Sequence, residues 1–113
     1  MDYYLLADMT VQIGYELAIA GAETYRVEET MRRVIEAYGT EGQAFAIPNC
    51  VAVNFVAQNT KPLTIMKRVG YHGNDLERIE KLNALSRRIC AEVPELAEAQ
   101  RWLKETVAGV RSY

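Results

Sequence analysis

Cysteine, histidine and proline are scarce in this 113-residue chain, which contains two cysteines, one histidine and three prolines. Cys50 and Cys90 lie forty residues apart and form no CxxC or Cys/His spacing, so a structural zinc site is not supported, and both are interpreted as buried apolar residues. His72 has no second ligand at a suitable spacing and is interpreted as a surface loop residue. We therefore expect no metal and no cofactor, and the cysteine usage favours a reducing compartment.

Long apolar runs and clusters of positive charge are also missing. No stretch reaches the roughly 18 apolar residues of a membrane span, so the chain as given is expected to be soluble. The first segment starts with an acidic residue and places Asp8, Gln12 and Glu16 on one polar helical face, which disfavours a signal peptide. Thirteen basic residues are interleaved with fifteen acidic ones, giving a net charge of −2. Nucleic acid is therefore not an expected partner.

The residues that are present have the composition of a globular protein, with 50% hydrophobic and 25% charged residues. We expect one domain over residues 1–113, with one core. Apolar residues at helical spacing predict two helices, each followed by a glycine that can end it, Gly21 and Gly39. The predicted core positions of these two helices are Leu6, Met9, Ile13, Leu17 and Ala20, then Val27, Met31, Val34, Ile35 and Tyr38.

The apolar period then changes from about 3.6 to about 2, which predicts three short strands. The first contains Phe45 and Ile47 on one face and ends at Pro48-Asn49; the second alternates from Val51 to Val56. A turn is predicted at residues 58–62, before a third strand from Leu63 to Arg68. Sequential short strands favour an antiparallel meander with one face packed, and its exposed edges favour pairing with a second copy as a homodimer.

Two further helices are predicted after the strands. Asn74 is the expected N-cap of the third, with Glu77 completing a capping box, and Val93-Pro94 separates it from the fourth. The predicted inward positions are Leu76, Ile79, Leu82, Leu85 and Ile89 in the third helix, and Leu96, Ala99, Leu103 and Val107 in the fourth. The fold class is therefore α+β, in the order ααβββαα, with the helices on one face of a three-stranded antiparallel sheet.

Three sequence stretches resemble the N-terminal domain of the threonine/serine exporter family. They are "GAETYRVEETMRRVIEAYG" at 21–39, "KRV" at 67–69 and "DLERIEKLNALSRRI" at 75–89, so the resemblance spans nearly the whole chain. It implies a domain at the cytoplasmic face of the inner or plasma membrane. It also implies a membrane-embedded exporter segment as partner, in the same chain or another, and export of small amino acids or dicarboxylates. Apolar segments are then expected to follow Tyr113 in the gene.

The resemblance can be followed residue by residue. The family's G-A-E-x-Y-R-x-E signature corresponds to Gly21, Ala22, Glu23, Tyr25, Arg26 and Glu28. Its basic residue at the end of the third strand is Arg68, its helix-opening aspartate is Asp75, and its later asparagine and arginine are Asn83 and Arg87. The chain departs from the family at Gly70 and His72, where proline and arginine are usual, and at Asn49, where a hydroxyl residue is common.

Tyr25, Arg26, Glu28, Arg68 and Asp75 are the candidate ligand-binding residues. Arginine can grip the carboxylate of a small amino acid while an anionic side chain holds its amine. The alternative is structural: the helix-start charges pair with one another, and Arg68, Asp75 and Arg87 form a buried ion-pair network. Three functions stay open, namely an exporter accessory domain, a ligand sensor and a hydrolase-like enzyme. No catalytic residue is predicted, because Ser86 lacks a nucleophile elbow and a neighbouring base.

Overall fold

The computed structural model describes residues 1–56 and 61–110. It confirms the predicted order ααβββαα and the antiparallel sheet. Part of the turn predicted at residues 58–62 lies outside the described residues. The elements are α1 (Tyr3–Ile19), α2 (Thr24–Ala37), β1 (Gln43–Ile47), β2 (Cys50–Phe55), β3 (Leu63–Arg68), α3 (Leu76–Glu92) and α4 (Leu96–Gly109).

The sheet has the strand order β1-β2-β3, so β1 and β3 are its edges. Pro48 and Asn49 form a two-residue connection between the paired Ile47 and Cys50. Burial alternates along each strand, as expected for a sheet covered on one side. Val51, Val53 and Phe55 face the core, whereas Phe45, Ile47 and Met66 lie on the opposite face and are 50%, 57% and 66% exposed. This second surface is called the open face below.

The helices lie in two layers on the covered face. α1 packs against β2 and β3, and α2 packs against β1, while α3 and α4 pack mainly on these two helices. Residues Leu6, Met9, Ile13 and Leu17 of α1 are buried as predicted; Thr10 and Glu16 are buried too, although Glu16 was predicted to lie on a polar face. A Cβ on Gly14 would lie 2.4 Å from the Met31 sulfur, so this glycine permits the close approach of α1 and α2. The central helix is therefore enclosed on more sides than its sequence pattern indicates.

The first helix ends in the way its sequence predicts. Gly21 has a φ of +99°, and a Cβ there would lie 2.3 Å from the carbonyl oxygen of Gly73. The loop before α3 is held at this point, because Gly73 N donates to Ile19 O at 2.6 Å and Asp75 N donates to Ala20 O at 2.8 Å. Glycine is required here both by the left-handed backbone and by the lack of space. The contact fixes the start of α3 beside the turn between α1 and α2.

Three local predictions for α3 and the cysteines were wrong. Asp75, not Asn74, caps α3, and its Oδ1 accepts from Arg78 N at 3.0 Å. Leu76 was predicted to face inward but is 71% exposed, because it lies on the solvent-facing side of the first turn of α3. Leu82, Leu85 and Ile89 are buried as expected. Cys50 and Cys90, predicted to be buried, are free thiols of intermediate exposure. Local periodicity therefore located the helix but not its first turn.

The junction between α3 and α4 lies at Val93-Pro94, as predicted. Val93 is a non-glycine residue with positive φ, at 42°, and it ends α3. The Tyr38 hydroxyl at the end of α2 donates to Pro94 O at 2.6 Å, which ties the two chain segments together. Trp102 of α4 is buried in the core. Among residues 1–56 and 61–110, no helix combines the length and the apolar character needed to cross a membrane.

Candidate functional site

An open groove with a volume of about 580 Å³ lies between α2 and α3. Most of its lining residues form one stripe on each helix, at positions 26, 29, 30 and 33 of α2 and 83, 86, 87 and 90 of α3, and Glu36 and Ala91 also line it. Both sets follow the i, i+3, i+4, i+7 spacing of a single helical face. Each polar stripe lies beside the apolar stripe that buries Val27 and Met31 or Leu82 and Leu85. The same amphipathic pattern that builds the core therefore also builds the groove.

The groove contains more arginine charge than its carboxylates neutralise. Arg33 Nη2 lies 2.8 Å from Glu29 Oε1, and Glu36 pairs with Arg32 at 3.2 Å. Arg26 and Arg87 also line the groove, and within the part of the chain that the structure describes neither forms an ion pair. Guanidinium groups bind carboxylates through two parallel hydrogen bonds. The groove can therefore accept a small molecule that carries a carboxylate.

The other groove residues do not supply an activated nucleophile. Ser86 Oγ donates to Asn83 O of its own helix at 2.9 Å, so its proton is directed at the backbone rather than at a base. Burial raises the pKa of the Cys90 thiol, which the charge of Arg33 opposes only in part. The thiol is therefore protonated at neutral pH, and it is the thiolate that reacts. The arrangement is suited to binding rather than to covalent chemistry.

One of the five predicted site residues, Arg26, lines this groove, and a second, Tyr25, contacts Arg26. Arg26 is one of its lining residues, and its Nε donates to the Tyr25 hydroxyl at 3.4 Å, a long hydrogen bond. The Arg26 guanidinium carbon lies 5.8 Å from the centroid of the Tyr25 ring. Tyr25 is 61% exposed. Both side chains are therefore free to rearrange around a ligand.

Glu28 has a different environment. Its Oε1 accepts from the backbone N–H of Ala46 at 3.0 Å, although the two residues are 18 positions apart. Ala46 belongs to β1, whose side opposite β2 is an edge of the sheet. An acidic acceptor at this point satisfies a backbone donor that would otherwise be open to pairing. The observed contact of Glu28 therefore supports the structure of the sheet edge.

Arg68 and Asp75 lie in two other places. Arg68 is the last residue of β3, is exposed and alternates with the core-facing residues, while Asp75 caps α3 and has its Oδ2 3.7 Å from Arg78 Nε. No hydrogen bond or ion pair joins either of them to Tyr25, Arg26 or Glu28 in residues 1–56 and 61–110. That all five converge on one ligand stays a prediction.

A second polar cluster, between α1 and α3, was not recognised from the sequence. Arg78 Nη1 lies 2.8 Å from Glu16 Oε1, with side-chain exposures of only 15% and 9%. Gln12 Nε2 donates to the same glutamate at 3.2 Å, and Lys67 Nζ donates to Gln12 Oε1 at 3.0 Å. We call Gln12, Glu16, Lys67, Asp75 and Arg78 the α1–α3 cluster. The spacing of Gln12 and Glu16 identified one polar face, but nothing local indicated its partners.

The buried ion-pair network considered from the sequence therefore has different members. It includes Asp75, but Arg78 takes the place expected for Arg68 and Arg87. The described residues also contain no group of three His, Cys, Asp or Glu side chains that could hold a metal ion. Of the residues taken from the family resemblance, Arg26, Asn83 and Arg87 are the three that line one groove. The other lining residues were not predicted as site residues, although their helical spacing was visible: Glu29, Thr30, Arg33, Glu36, Ser86, Cys90 and Ala91.

Comparisons with known proteins agree with the sequence resemblance. Neither the curated proteins nor the solved structures contained a match to the chain. A protein-family model did match: ThrE, described as "Putative threonine/serine exporter", over residues 8–113. The matched segment begins within α1, includes every later element through α4, and contains all the residues of the α2–α3 groove. Because the match covers nearly the whole chain, the protein belongs to the ThrE family of threonine/serine exporters.

Proposed function

We propose that this chain is a cytoplasmic accessory domain of a threonine/serine exporter, and that it senses a small amino acid in the α2–α3 groove. It would lie at the cytoplasmic face of the membrane beside a membrane-embedded exporter segment of the same or a partner chain. Its role there is to gate or dock. Support comes from membership of the exporter family and from one observation above all: Arg26, Asn83 and Arg87, distant in sequence, line the same groove.

The groove offers a simple means of holding an amino acid. Arg26 and Arg87 provide guanidinium groups for the carboxylate, and the Asn83 side chain adds neutral hydrogen-bonding groups. Glu29 lines the same groove and can supply negative charge for the amine, at the expense of its pair with Arg33. A dicarboxylate would instead use both free arginines and leave this pair intact. An amino acid would therefore require Glu29 to give up its pair with Arg33, whereas a dicarboxylate would not.

Calorimetry on the isolated chain tests the binding site. Threonine, serine and succinate are titrated into the wild type and into Arg26→Ala and Arg87→Ala, with Arg32→Ala as the matched control on the same helix. Arg32 is exposed and pairs with Glu36, and it does not line the groove. We expect heat from at least one ligand at millimolar concentration, loss of that heat in the two groove variants and retention in the control. Absence of heat from all three ligands would end the sensing proposal.

Tyr25 enters this proposal as the neighbour of Arg26, while Glu28, Arg68 and Asp75 remain predicted ligand contacts. The Arg68→Ala variant tests whether these further residues contact the ligand. It is suited to this test because Arg68 is exposed and forms no ion pair in the described residues. If all five residues converge on the ligand, this variant also loses heat. If only the groove binds, it titrates like the wild type.

The exporter assignment has its own test, which does not depend on ligand binding. Sequencing of the gene downstream of Tyr113, and of its neighbours, is expected to reveal apolar segments of about 20 residues each. A stop codon directly after Tyr113 together with no neighbouring membrane protein would remove the accessory role. Ligand binding by the groove would survive that result as the property of a stand-alone sensor.

A further inference from the structure

The two edges of the sheet differ in how their outward backbone groups are used. In an antiparallel ladder, alternate residues direct their N–H and C=O groups to the neighbouring strand, and the others direct them away. The Ala46 N–H of β1 points away from β2, since it donates to Glu28 Oε1. β1 is also the strand that α2 packs against. One outward backbone donor of this edge is therefore occupied by a side chain of α2.

The opposite edge, β3, is packed against α1 in the same way, but in the described part of the chain no side chain bonds to its outward backbone donors. Val51 is the partner of Ala46, so its backbone N–H and C=O groups also point away from the β1–β2 ladder and towards β3. The same holds for every second residue of β2, and Val51, Val53 and Phe55 therefore bond to Lys67, Ile65 and Leu63. The backbone groups of Thr64, Met66 and Arg68 must then point outward, and all three residues are exposed. Within residues 1–56 and 61–110, no helix, loop or side chain bonds to the N–H of these three residues. Edges of this kind pair with another strand unless they are blocked.

We propose that β3 pairs antiparallel with β3 of a second copy of this chain, which joins two three-stranded sheets into one six-stranded sheet. A two-fold axis at Met66 places Met66 opposite Met66 of the other copy, and Thr64 opposite Arg68 of the other copy. The outward groups of these residues then make about six backbone hydrogen bonds. Ile65 lies opposite Lys67 of the other copy, so its side chain packs along the lysine stem.

The neighbouring registers are less favourable. If the two-fold axis moves from Met66 to Ile65, Pro62 lies opposite Arg68 of the other copy. Proline has no N–H, so this register loses a hydrogen bond. If the axis moves to Lys67, this residue lies directly opposite Lys67 of the second copy, and like charges in that position destabilise a sheet. The register centred on Met66 avoids both problems. It also places Pro62 opposite Gly70, at the point where pairing ends.

The strength of the association follows from its size. Pairing of two six-residue edges buries much less than the roughly 800 Å² per partner of a standard interface, so a weak, concentration-dependent dimer is expected. Its mass in sedimentation experiments should rise from 12.8 kDa towards twice that value as the concentration approaches about 1 mM. Within a membrane assembly, a high effective concentration would favour the same contact.

Sedimentation velocity with matched variants tests the interface. Met66→Lys places two ammonium groups opposite each other at the axis and should abolish the rise in mass, while the exposed side chain leaves the monomer folded. Ile47→Lys is the control, because Ile47 is an equally apolar residue of the open face but belongs to β1. A monomeric wild type would overturn the proposal. A dimer that Ile47→Lys abolishes, or that Met66→Lys does not, would overturn it as well.

Cross-linking tests the register independently of affinity. In a Cys50→Ser, Cys90→Ser background, Met66→Cys creates the one thiol of the chain, about 5.5 Å between Cα atoms from its copy. That separation lies within the range of a disulfide. Thr64→Cys is the control, since two such residues would be about 14 Å apart. Oxidation should give a covalent dimer for Met66→Cys only. Equal cross-linking of both variants, or none for Met66→Cys, would contradict the register.

Discussion

Arg78 and Arg87 lie on the same helix, yet their surroundings are opposite in kind. Arg78 is nearly buried between α1 and α3, and Glu16 and Asp75 neutralise it. Arg87 lines the α2–α3 groove and has no carboxylate partner in the described residues. A buried guanidinium without a partner would be strongly destabilising, whereas an exposed one is hydrated. The comparison indicates that α3 uses arginine for stability on one face and leaves it available for a ligand on the other.

The largest effect is expected when a charge enters the core with no partner at all. Met31→Asp and Leu85→Asp each replace a buried side chain with a carboxylate and should lower the free energy of unfolding by about 4 kcal/mol. Leu76→Asp is the control, since Leu76 lies on the same helix as Leu85 but is exposed. It should change stability by less than about 0.5 kcal/mol. Chemical denaturation measures all three, and similar values for Leu85→Asp and Leu76→Asp would contradict the helical phase.

Breaking the buried pair should have the next largest effect. Glu16→Gln leaves Arg78 largely buried with only the more distant Asp75, and we expect a loss of about 3 kcal/mol. Glu92→Gln removes the partner of Arg88 in a pair that is more than half exposed, and should cost less than about 1 kcal/mol. Equal losses for the two variants would mean that the α1–α3 cluster is not the stabilising region.

A neutral contact should have a smaller effect, with a distinct pH dependence. Tyr38→Phe removes the hydrogen bond to Pro94 O and should lower the free energy of unfolding by about 1 kcal/mol. Burial raises the pKa of Tyr38 above that of an unfolded tyrosine. The contribution is therefore complete below pH of about 10 and is lost as the pH rises through the folded-state pKa. Denaturation between neutral and alkaline pH should show a shallower decline for Tyr38→Phe than for the wild type.

The smallest effect on stability is expected in the groove. Arg87→Ala removes an arginine without an ion-pair partner, so the free energy of unfolding should change by less than about 0.5 kcal/mol while ligand heat is lost. Arg78→Ala is its counterpart on the other face and should cost about 3 kcal/mol. A large loss of stability in Arg87→Ala would place this residue with Arg78 among the structural arginines.

Sequence patterns predicted the features that depend on neighbours along the chain. The apolar stripes through Met9 and Met31, the left-handed Gly21 and the alternation around Val53 all depend on spacing within one element, and all are found in the structure. The family resemblance singled out Arg26 and Arg87, but it did not indicate that both residues line the α2–α3 groove. The pairing of Glu16 with Arg78 joins residues 62 positions apart, and its geometry arises only when α1 and α3 pack. Single-element patterns contain no information of that kind.

The α2–α3 groove is held at both ends by contacts already present without a ligand. Gly73 and Asp75 fix the start of α3 against the turn before α2, and the Tyr38 hydroxyl joins the end of α2 to Pro94 beyond α3. A ligand would therefore enter a frame whose backbone is already ordered, and little conformational entropy would be lost on binding. If the proposed ligand binds there, the fixed separation of the two helices would limit the size of the molecule that fits. Recognition would then depend on the length of the molecule that spans them, rather than on closure of the protein around it.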